Sequence, residues 1–173
     1  GSEGKGGVPM TLRESLEKLD SAHWRNDKVK IRPILTQEDL VYAIFDCELT
    51  PEQQELVNPA GFSIGRAYLF RERNFPCLIC TVEDAPIGFI SLCKWLAEGD
   101  AYSWSYYIDR RYQGKGYGKA AARLAIHILK TAAPEKPIKL STEVENTKAQ
   151  ALYQSLGFTR LDELDGDDLV FAL

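Results

Sequence analysis

The stretch RRYQGKGYGKAAARL, from Arg110 to Leu124, joins a glycine-rich turn to the start of a helix. Its glycines alternate at positions 114, 116 and 118, and lysines stand at positions 115 and 119. Glycine is favoured where the backbone takes a positive φ angle or closely approaches another group. A strand, a glycine-rich turn and a helix in succession bind anions well, because backbone N–H groups converge at the positive end of the helix. The stretch therefore predicts a site for an anionic group.

Two common phosphate-binding motifs do not fit this turn. The dinucleotide motif G-x-G-x-x-G requires glycine at its sixth position. That position is Lys119 when the motif starts at Gly114, and Ala121 when it starts at Gly116. The nucleotide motif G-x-x-x-x-G-K-[ST] requires Ser or Thr where Ala120 stands. The pattern that remains is QGKGYG, Gln113–Gly118. A tight turn without a ligand is the alternative interpretation, although three alternating glycines flanked by lysines exceed what a turn needs.

The rest of the chain alternates strand-like and helix-like segments. Strands are predicted at Val29–Ile34, Cys77–Glu83, Pro86–Trp95, Ala101–Ile108 and Ile138–Val144, with a final hairpin that turns at Asp165-Gly166-Asp167. The three strands between positions 77 and 108 are joined by short turns, which predicts an antiparallel meander. Helices are predicted after the N-cap residues Thr36 (to about Glu48), Thr50 and Asn146, and after the glycine-rich turn.

Length and charge restrict the classes of protein and partner. A chain of 173 residues is expected to form one domain. Its formal net charge of −4 argues against nucleic acid or an anionic membrane surface as the main partner. No apolar run approaches the ~18 residues that a membrane span requires.

The cysteines and histidines do not predict a metal site. Cys77 and Cys80 form a C-x-x-C pair, but residues three apart on a strand point to opposite faces, and no second pair completes a zinc site. With Cys47 and Cys93 they are predicted to be buried, reduced thiols, which favours a cytoplasmic location. The two histidines are too few and too far apart in the sequence to indicate a metal.

The N-terminal region differs in composition from the rest. Residues 1–9, GSEGKGGVP, are predicted to be an expression-vector remnant that precedes the single methionine, Met10. Residues 10–28 are predicted to form a helical extension, because Thr11 and Glu14 have capping-box spacing and a helical pattern continues to about Trp24. The main domain is predicted at residues 29–173.

Two motifs together resemble a known family. QGKGYG resembles the pyrophosphate-binding signature [Q/R]-x-x-G-x-[G/A] of the GNAT N-acetyltransferases, which use acetyl-coenzyme A. ENTKAQALYQSLGF, Glu145–Phe158, is similar to the family segment N-x-x-A-x-x-x-Y-x-x-x-G-F. The motifs occur in the family's order, and the resemblance covers about residues 29–173.

The resemblance implies an α/β (α+β) GNAT fold. Its central sheet is mixed but mostly antiparallel, has about six or seven strands and is flanked by helices. The sheet is splayed between the fourth and fifth strands, and the fourth strand carries a bulge. In the family the pantetheine arm of the cofactor lies in the splay, so main-chain groups near Tyr107 and Ile108 are expected to hold the acetyl thioester and polarise its carbonyl.

The resemblance also implies site residues. The predicted cofactor-binding residues of the turn are Gln113, Gly114, Lys115, Gly116, Tyr117, Gly118 and Lys119. Asn146 either meets the coenzyme or caps its helix. Tyr153 is predicted to donate the proton that the coenzyme A thiolate needs on leaving. The general base stays open between water and the carboxylates of Glu143 and Glu145, which are expected to share one strand face.

The acceptor is predicted to be a small-molecule amine. The segment LTPEQQELV, Leu49–Val57, and both motifs are similar to bacterial spermine/spermidine acetyltransferase-like proteins. The carboxylates of Glu48, Glu52 and Glu55, with that of Glu143, would attract such a polycation. The alternatives are another amine (an aminoglycoside-like antibiotic, an amino acid or a protein N-terminus) or a binding module that senses acetyl-CoA without turnover. GNAT proteins often form homodimers, and the sequence leaves the oligomeric state open.

Overall fold

A computed structural model of the chain describes residues 8–173, so most of the predicted vector remnant lies outside the described residues. The helices are α1 (Leu12–Glu17), α2 (Gln37–Val41), α3 (Pro51–Leu56), α4 (Ala60–Leu69), α5 (Tyr117–Ala132) and α6 (Thr147–Ser155). The strands are β1 (Val29–Pro33), β2 (Asn74–Thr81), β3 (Pro86–Lys94), β4 (Tyr102–Ile108), β5 (Lys139–Thr142), β6 (Thr159–Asp165) and β7 (Asp168–Ala172).

The strands form two antiparallel sheets. The first has the order β1-β2-β3-β4 and contains the predicted meander, and the second has the order β5-β7-β6. Within residues 8–173, the two sheets meet at one parallel bridge between Tyr102 and Ile138, where the Tyr102 N–H donates to the Pro137 carbonyl at 2.8 Å. Beyond this bridge β4 and β5 separate, which confirms the predicted splay between the fourth and fifth strands.

The bulge lies in a different strand from the predicted one. β4 pairs with β3 in unbroken register from Tyr102 to Ile108. The register shift occurs instead in β2, between Ile79 and Cys80. The expectation of a bulge that interrupts the fourth strand's pairing is therefore wrong for this chain.

The N-terminal extension is part of the core. Thr11 caps α1 as predicted, accepting a hydrogen bond from the Glu14 N–H at 3.1 Å. The side chains of Leu12 and Leu16 are each 1% exposed and belong to the same hydrophobic cluster as α5 and the first sheet. The α-helix ends at Glu17, and a separate 3₁₀ turn follows at Ser21–Trp24, so the predicted continuous helix is broken in two.

The segment that Thr36 caps also departs from a regular α-helix. α2 ends at Val41 and continues as a π-helical turn, Tyr42–Asp46. Its defining hydrogen bond runs from the Cys47 N–H to the Tyr42 carbonyl at 2.8 Å. The prediction of one helix to about Glu48 is therefore corrected, and π-helical turns of this kind occur often at functional sites.

The sequence motifs do not predict α4. This helix buries small side chains, those of Ala60, Ser63 and Ala67. Most of its large hydrophobic side chains are exposed, with Phe62 at 54% and Tyr68 at 87%, and Ile64 is only partly buried. The usual signal of an amphipathic helix, a stripe of large buried apolar residues, is therefore reversed in α4.

We expect Gly65→Ala to stabilise the protein. Gly65 lies inside α4, and a Cβ added there would meet no atom within 4 Å. Alanine in an exposed helix interior is more stable than glycine by about 1 kcal/mol, which urea unfolding would measure.

Gly157→Ala is the matched control. Gly157 has a φ angle of +96° after α6, and a side chain in that conformation costs about 1–2 kcal/mol. A loss of stability for Gly65→Ala would contradict the assignment of α4 as an unstrained exposed helix.

Candidate active site

The glycine-rich turn leads directly into α5. Gly114 and Gly116 have φ angles of +75° and +82°, the left-handed region that favours glycine. Gly116 is the N-cap residue, and the first backbone bond of the helix runs from the Ala120 N–H to the Gly116 carbonyl. The N–H groups of residues 117–119 therefore have no partner inside the helix. They are available to an anion at the positive end of a 16-residue helix.

Side chains fasten this turn on both sides. The Gln113 side-chain amide donates to the Ile108 carbonyl oxygen at 2.9 Å, which holds the turn against the end of β4. The Lys28 ammonium donates to the Lys115 carbonyl oxygen and lies 5.2 Å from the centre of the Tyr117 ring. The sequence analysis does not single out Lys28, because it lies far from the motif in the chain.

The main-chain hydrogen-bonding groups of β4 point alternately toward β3 and toward the splay. The Asp109 N–H donates to the Ile87 carbonyl at 2.8 Å, so odd-numbered residues of β4 form the hydrogen-bonded pairs with β3. Main-chain groups of Trp104, Tyr106 and Ile108 consequently face the splay. The sequence analysis places main-chain groups of both Tyr107 and Ile108 in the site. The structure places those of Tyr107 in the ladder with β3.

Aromatic rings connect β4 to the second sheet. The Trp104 ring packs 6.3 Å from that of Tyr106 and 6.0 Å from that of Phe158, between ring centres. Tyr153, on α6, lies 5.9 Å from Phe158 and 5.8 Å from Phe171. The predicted proton donor is thus part of a ring cluster at the junction of the two sheets.

The phenols of this cluster are protonated near neutral pH. Burial raises the pKa of Tyr153 above its usual value. Burial, with a smaller contribution from Tyr153, raises the pKa of Tyr106, whose hydroxyl donates to the Gly118 carbonyl at 3.1 Å. Each phenol therefore retains the proton that a general acid must carry.

The turn between β5 and α6 holds Asn146 and the proposed carboxylates. The Asn146 side chain accepts a hydrogen bond from the Ala149 N–H at 3.1 Å, so it caps α6. β5 ends at Thr142, and Glu143 and Glu145 are exposed in the turn that follows. The expectation that these carboxylates share one strand face is therefore wrong.

A buried carboxylate immediately precedes the glycine-rich turn. Asp109 is 0% exposed and accepts hydrogen bonds from the Arg111 guanidinium at 2.7 Å and from the Tyr42 hydroxyl at 3.1 Å. Burial alone would raise its pKa, but these hydrogen bonds hold the pKa of Asp109 below its usual value. The sequence gives no sign of this role, because Tyr42 and Asp109 are 67 positions apart.

Further contacts join the π-helical turn and α3 to the same region. The Arg110 N–H donates to the Glu48 carbonyl at 2.8 Å, and the Arg110 and Glu48 side chains form an ion pair at 2.8 Å. The Gln53 side chain donates to the Ile108 carbonyl at 3.3 Å. Glu48 is thus engaged by arginine, whereas Glu52 and Glu55 are exposed on α3.

One cavity lies away from the splay. It has a volume of about 610 Å³ and lies against α2 and the π-helical turn, where Arg32, Asp39 and Asp84 contribute to its lining. Arg32 pairs with Asp39 at 2.7 Å and with Asp84 at 3.1 Å, so these side chains are engaged with one another, and the lining contains no residue of either sequence motif. We therefore assign the candidate site to the splay and the glycine-rich turn.

The cysteines are all free thiols. Cys77 and Cys80 are buried in different hydrophobic clusters, as expected for opposite faces of a strand. Within residues 8–173, no group of three or more His, Cys, Asp or Glu side chains is placed to ligate a metal ion. Over the same residues, none of the helices has the length and apolarity of a membrane span.

The residues at the splay fit coenzyme A. The turn offers N–H groups to a pyrophosphate, and the edge of β4 offers main-chain groups to the amides of a pantetheine arm. Trp104 Nε1 is also the one buried side-chain polar atom in residues 8–173 without a hydrogen-bond partner, which marks an unused donor within the ring cluster beside the splay.

Comparison with known proteins identifies the family. The model of the acetyltransferase (GNAT) family matches residues 39–158, well over half of the chain. The chain therefore belongs to the GNAT family of acetyltransferases, and the sequence-based recognition is confirmed.

Individual relatives show how far the likeness extends. Mycothiol acetyltransferase of Beutenbergia cavernae is 33% identical over 87 residues, 49% of this chain and 29% of that protein, so the match spans less than a third of the relative's length. Spermidine N-acetyltransferase from Vibrio cholerae, solved with CoA and spermine, has a TM-score of 0.67 at 19% identity and covers 85% of this chain and 94% of its own. An acetyltransferase from Agrobacterium tumefaciens has a TM-score of 0.65 at 18% identity, covering 86% and 92%. At these identities the structural likeness shows the fold.

We expect Asp109→Asn to destabilise the protein by roughly 2 kcal/mol at pH 7, because a neutral amide accepts the hydrogen bonds from Arg111 and Tyr42 less strongly than the buried carboxylate does. The depressed pKa of Asp109 has a second consequence. Its stabilising contribution is present above the unfolded-state pKa of about 4 and is lost as the pH falls through the lower folded-state pKa. Urea unfolding at pH 7 and between pH 5 and 2 measures both effects.

Tyr42→Phe is the matched control for this cluster. It removes one hydrogen bond and keeps both the carboxylate and its contact with Arg111, so we expect a loss of about 1 kcal/mol and an acid dependence that is weaker than in wild type but still present. An equal acid dependence in wild type and Asp109→Asn would contradict the role assigned to Asp109.

Proposed function

We propose that the protein is an N-acetyltransferase that moves the acetyl group of acetyl-CoA directly to a primary amine. The observation that carries this proposal is the open main-chain edge of β4, which ends at a glycine-rich turn and the unpaired N–H groups of α5. Membership of the GNAT family supports the same activity.

The cofactor is proposed to bind along this edge. The N–H groups of the turn, from Gly114 to Lys119, would hold the pyrophosphate. The main-chain groups of Tyr106 and the N–H of Ile108, whose carbonyl is engaged by Gln113 and Gln53, would hold the pantetheine arm and the thioester. Bound there, acetyl-CoA supplies an activated acetyl group and a thiolate that can leave. Donors already in place on β4 would stabilise the negative charge that develops on the carbonyl oxygen.

Tyr153 is proposed to protonate the leaving sulfur. In the transfer the amine nitrogen forms a bond to the acetyl carbon, the carbon–sulfur bond breaks, and the phenol proton goes to the thiolate. The raised pKa of Tyr153 keeps that proton on the phenol until it is needed. Solvent can restore it between turnovers.

Deprotonation of the amine is proposed to proceed through water. The β4 sequence YSWSYYI contains no carboxylate, and Asp109 is committed to Arg111 and Tyr42. Glu143 and Glu145 are exposed and could accept the proton from a water chain. Because an alkyl ammonium ion has a pKa near ~10, the rate should rise with pH through the neutral range.

A polyamine is the proposed acceptor. Glu52 and Glu55 are exposed on α3, which is bonded to the end of β4 through Gln53. Their charges would attract a polycation to the end of the splay. A spermidine N-acetyltransferase is among the proteins with a similar fold.

A cytoplasmic location is proposed because all four cysteines are free thiols. A homodimer stays a prediction, which rests on the tendency of the family to dimerise.

A thiol-release assay tests the proposed function. Acetyl-CoA would be offered with spermine, spermidine, lysine, aminoglycosides and short peptides, with acetyl-CoA binding measured separately by calorimetry. Selective turnover of polyamines is the expected result. Turnover of another amine would keep the activity and overturn the acceptor. Binding of acetyl-CoA without turnover of any amine would favour the sensing module.

We expect Tyr153→Phe to lower kcat at least about 100-fold, the usual scale for removal of a general acid. The affinity for acetyl-CoA should change little, because the ring still packs against Phe158 and Phe171. Tyr106→Phe is the matched control, since it removes a hydroxyl that is bonded to Gly118 and should leave kcat much less affected. Equal losses of affinity and kcat in Tyr153→Phe would contradict the acid role.

A further inference from the structure

The chain immediately before β1 is bonded to the first turn of α5. The Asn26 side chain donates to the Ala120 carbonyl at 3.1 Å. The oxygen of the same side chain accepts hydrogen bonds from the N–H groups of Lys28 at 3.0 Å and Val29 at 2.9 Å. The Asn26 N–H also donates to the Val29 carbonyl at 3.0 Å. This turn, residues 26–29, is therefore held in one position relative to the start of α5.

The fixed turn directs the Lys28 side chain to the glycine-rich turn. Its ammonium donates to the Lys115 carbonyl oxygen and lies near the Tyr117 ring. A Cβ added at Gly116 would be 2.9 Å from the Lys28 nitrogen. The ammonium thus lies beside the N-cap of α5, with further N–H donors left after the one bond to Lys115.

The electrostatics of this position call for an anion. A cation at the positive end of a helix is unfavourable, whereas an anion there is stabilised. The fixed turn nevertheless places the Lys28 ammonium beside Gly116, the N-cap residue of α5. A bound phosphate would convert this repulsion into a charge-assisted hydrogen bond.

We propose that Lys28 is a cofactor-binding residue that donates to a phosphate group of coenzyme A at the start of α5. This inference rests on the proposed function and extends it to a segment outside the residues 39–158 that the family model matches. It gives the N-terminal extension a role in the site, because the turn at residues 26–29, which is bonded to α5 through Asn26, fixes the position of Lys28.

Calorimetric titration with acetyl-CoA tests the proposal. Lys28→Met should bind acetyl-CoA roughly five-fold more weakly than wild type at low salt, as expected for a partly exposed charge pair. Lys28→Arg should retain most of the affinity. Lys30→Met is the matched control, because it removes the same charge from β1, where Lys30 pairs with Cys80 in β2, and should bind like wild type.

Salt dependence separates a phosphate contact from mere support of the turn. A contact between charges weakens as ionic strength rises. The difference in acetyl-CoA affinity between wild type and Lys28→Met should therefore shrink between 0.05 and 0.5 M NaCl, because the screening length falls from roughly 13 Å to roughly 4 Å over that range. A ratio of affinities that stays constant with salt would overturn the proposal. So would wild-type affinity in Lys28→Met.

Dephospho-CoA, which lacks the 3′-phosphate, distinguishes the two phosphate sources. A loss for Lys28→Met with both ligands assigns the contact to the pyrophosphate, and a loss with CoA alone assigns it to the 3′-phosphate. Failure of the unaltered protein to bind acetyl-CoA would overturn the proposed function, and this inference with it. Binding by wild type with an unchanged Lys28→Met would overturn this inference alone.

Discussion

The separation of β4 from β5 is the constraint on which the rest of the site depends. The strands share one parallel bridge, Tyr102–Ile138, and then diverge. Because β4 and β5 do not pair beyond this bridge, main-chain donors and acceptors on β4 lack the partners that a continuous sheet would give them. Each such group costs about 1–3 kcal/mol if it is buried without a hydrogen bond. The fold keeps this edge next to a turn with its own unpaired N–H groups. A ligand with amides and phosphates would satisfy both sets at once.

The position of this edge is maintained by contacts on both faces of the first sheet. On one face, α1 and α5 pack on a common hydrophobic cluster. On the other, Tyr42, Tyr107 and Phe89 share a second cluster. Asp109 connects the second face to the glycine-rich turn through Tyr42 and Arg111. The glycine-rich turn and the elements packed on the second face are thus connected by hydrogen bonds through Asp109.

The N-terminal segment changes the description of the domain. Leu12 and Leu16 are as deeply buried as the leucines of the central strands, and Asn26 bonds the segment to α5. A segment of this kind cannot be removed without exposing the core beneath it. Its contribution to the site through Lys28 follows from the same packing, because only a fixed turn can hold a flexible lysine side chain near a chosen point.

The sequence by itself determined the features that depend on local chemistry. Alternating apolar residues and short turns defined the meander, glycines with positive φ defined the turn before α5, and Thr11, Thr50 and Asn146 act as the N-caps that their side chains indicate. The family motifs identified the class of protein because they are local too.

Only the tertiary structure decided the features that join distant residues. The sequence did not predict α4, because this helix buries alanine and serine and exposes phenylalanine and tyrosine. The assignment of main-chain groups to the splay required the register of β3 and β4, since a shift of one residue exchanges the two edges. The partners of Asp109 and the location of Lys28 depend on contacts across 67 and 87 positions of the chain. No local pattern encodes such contacts, because they arise from the packing of the whole domain.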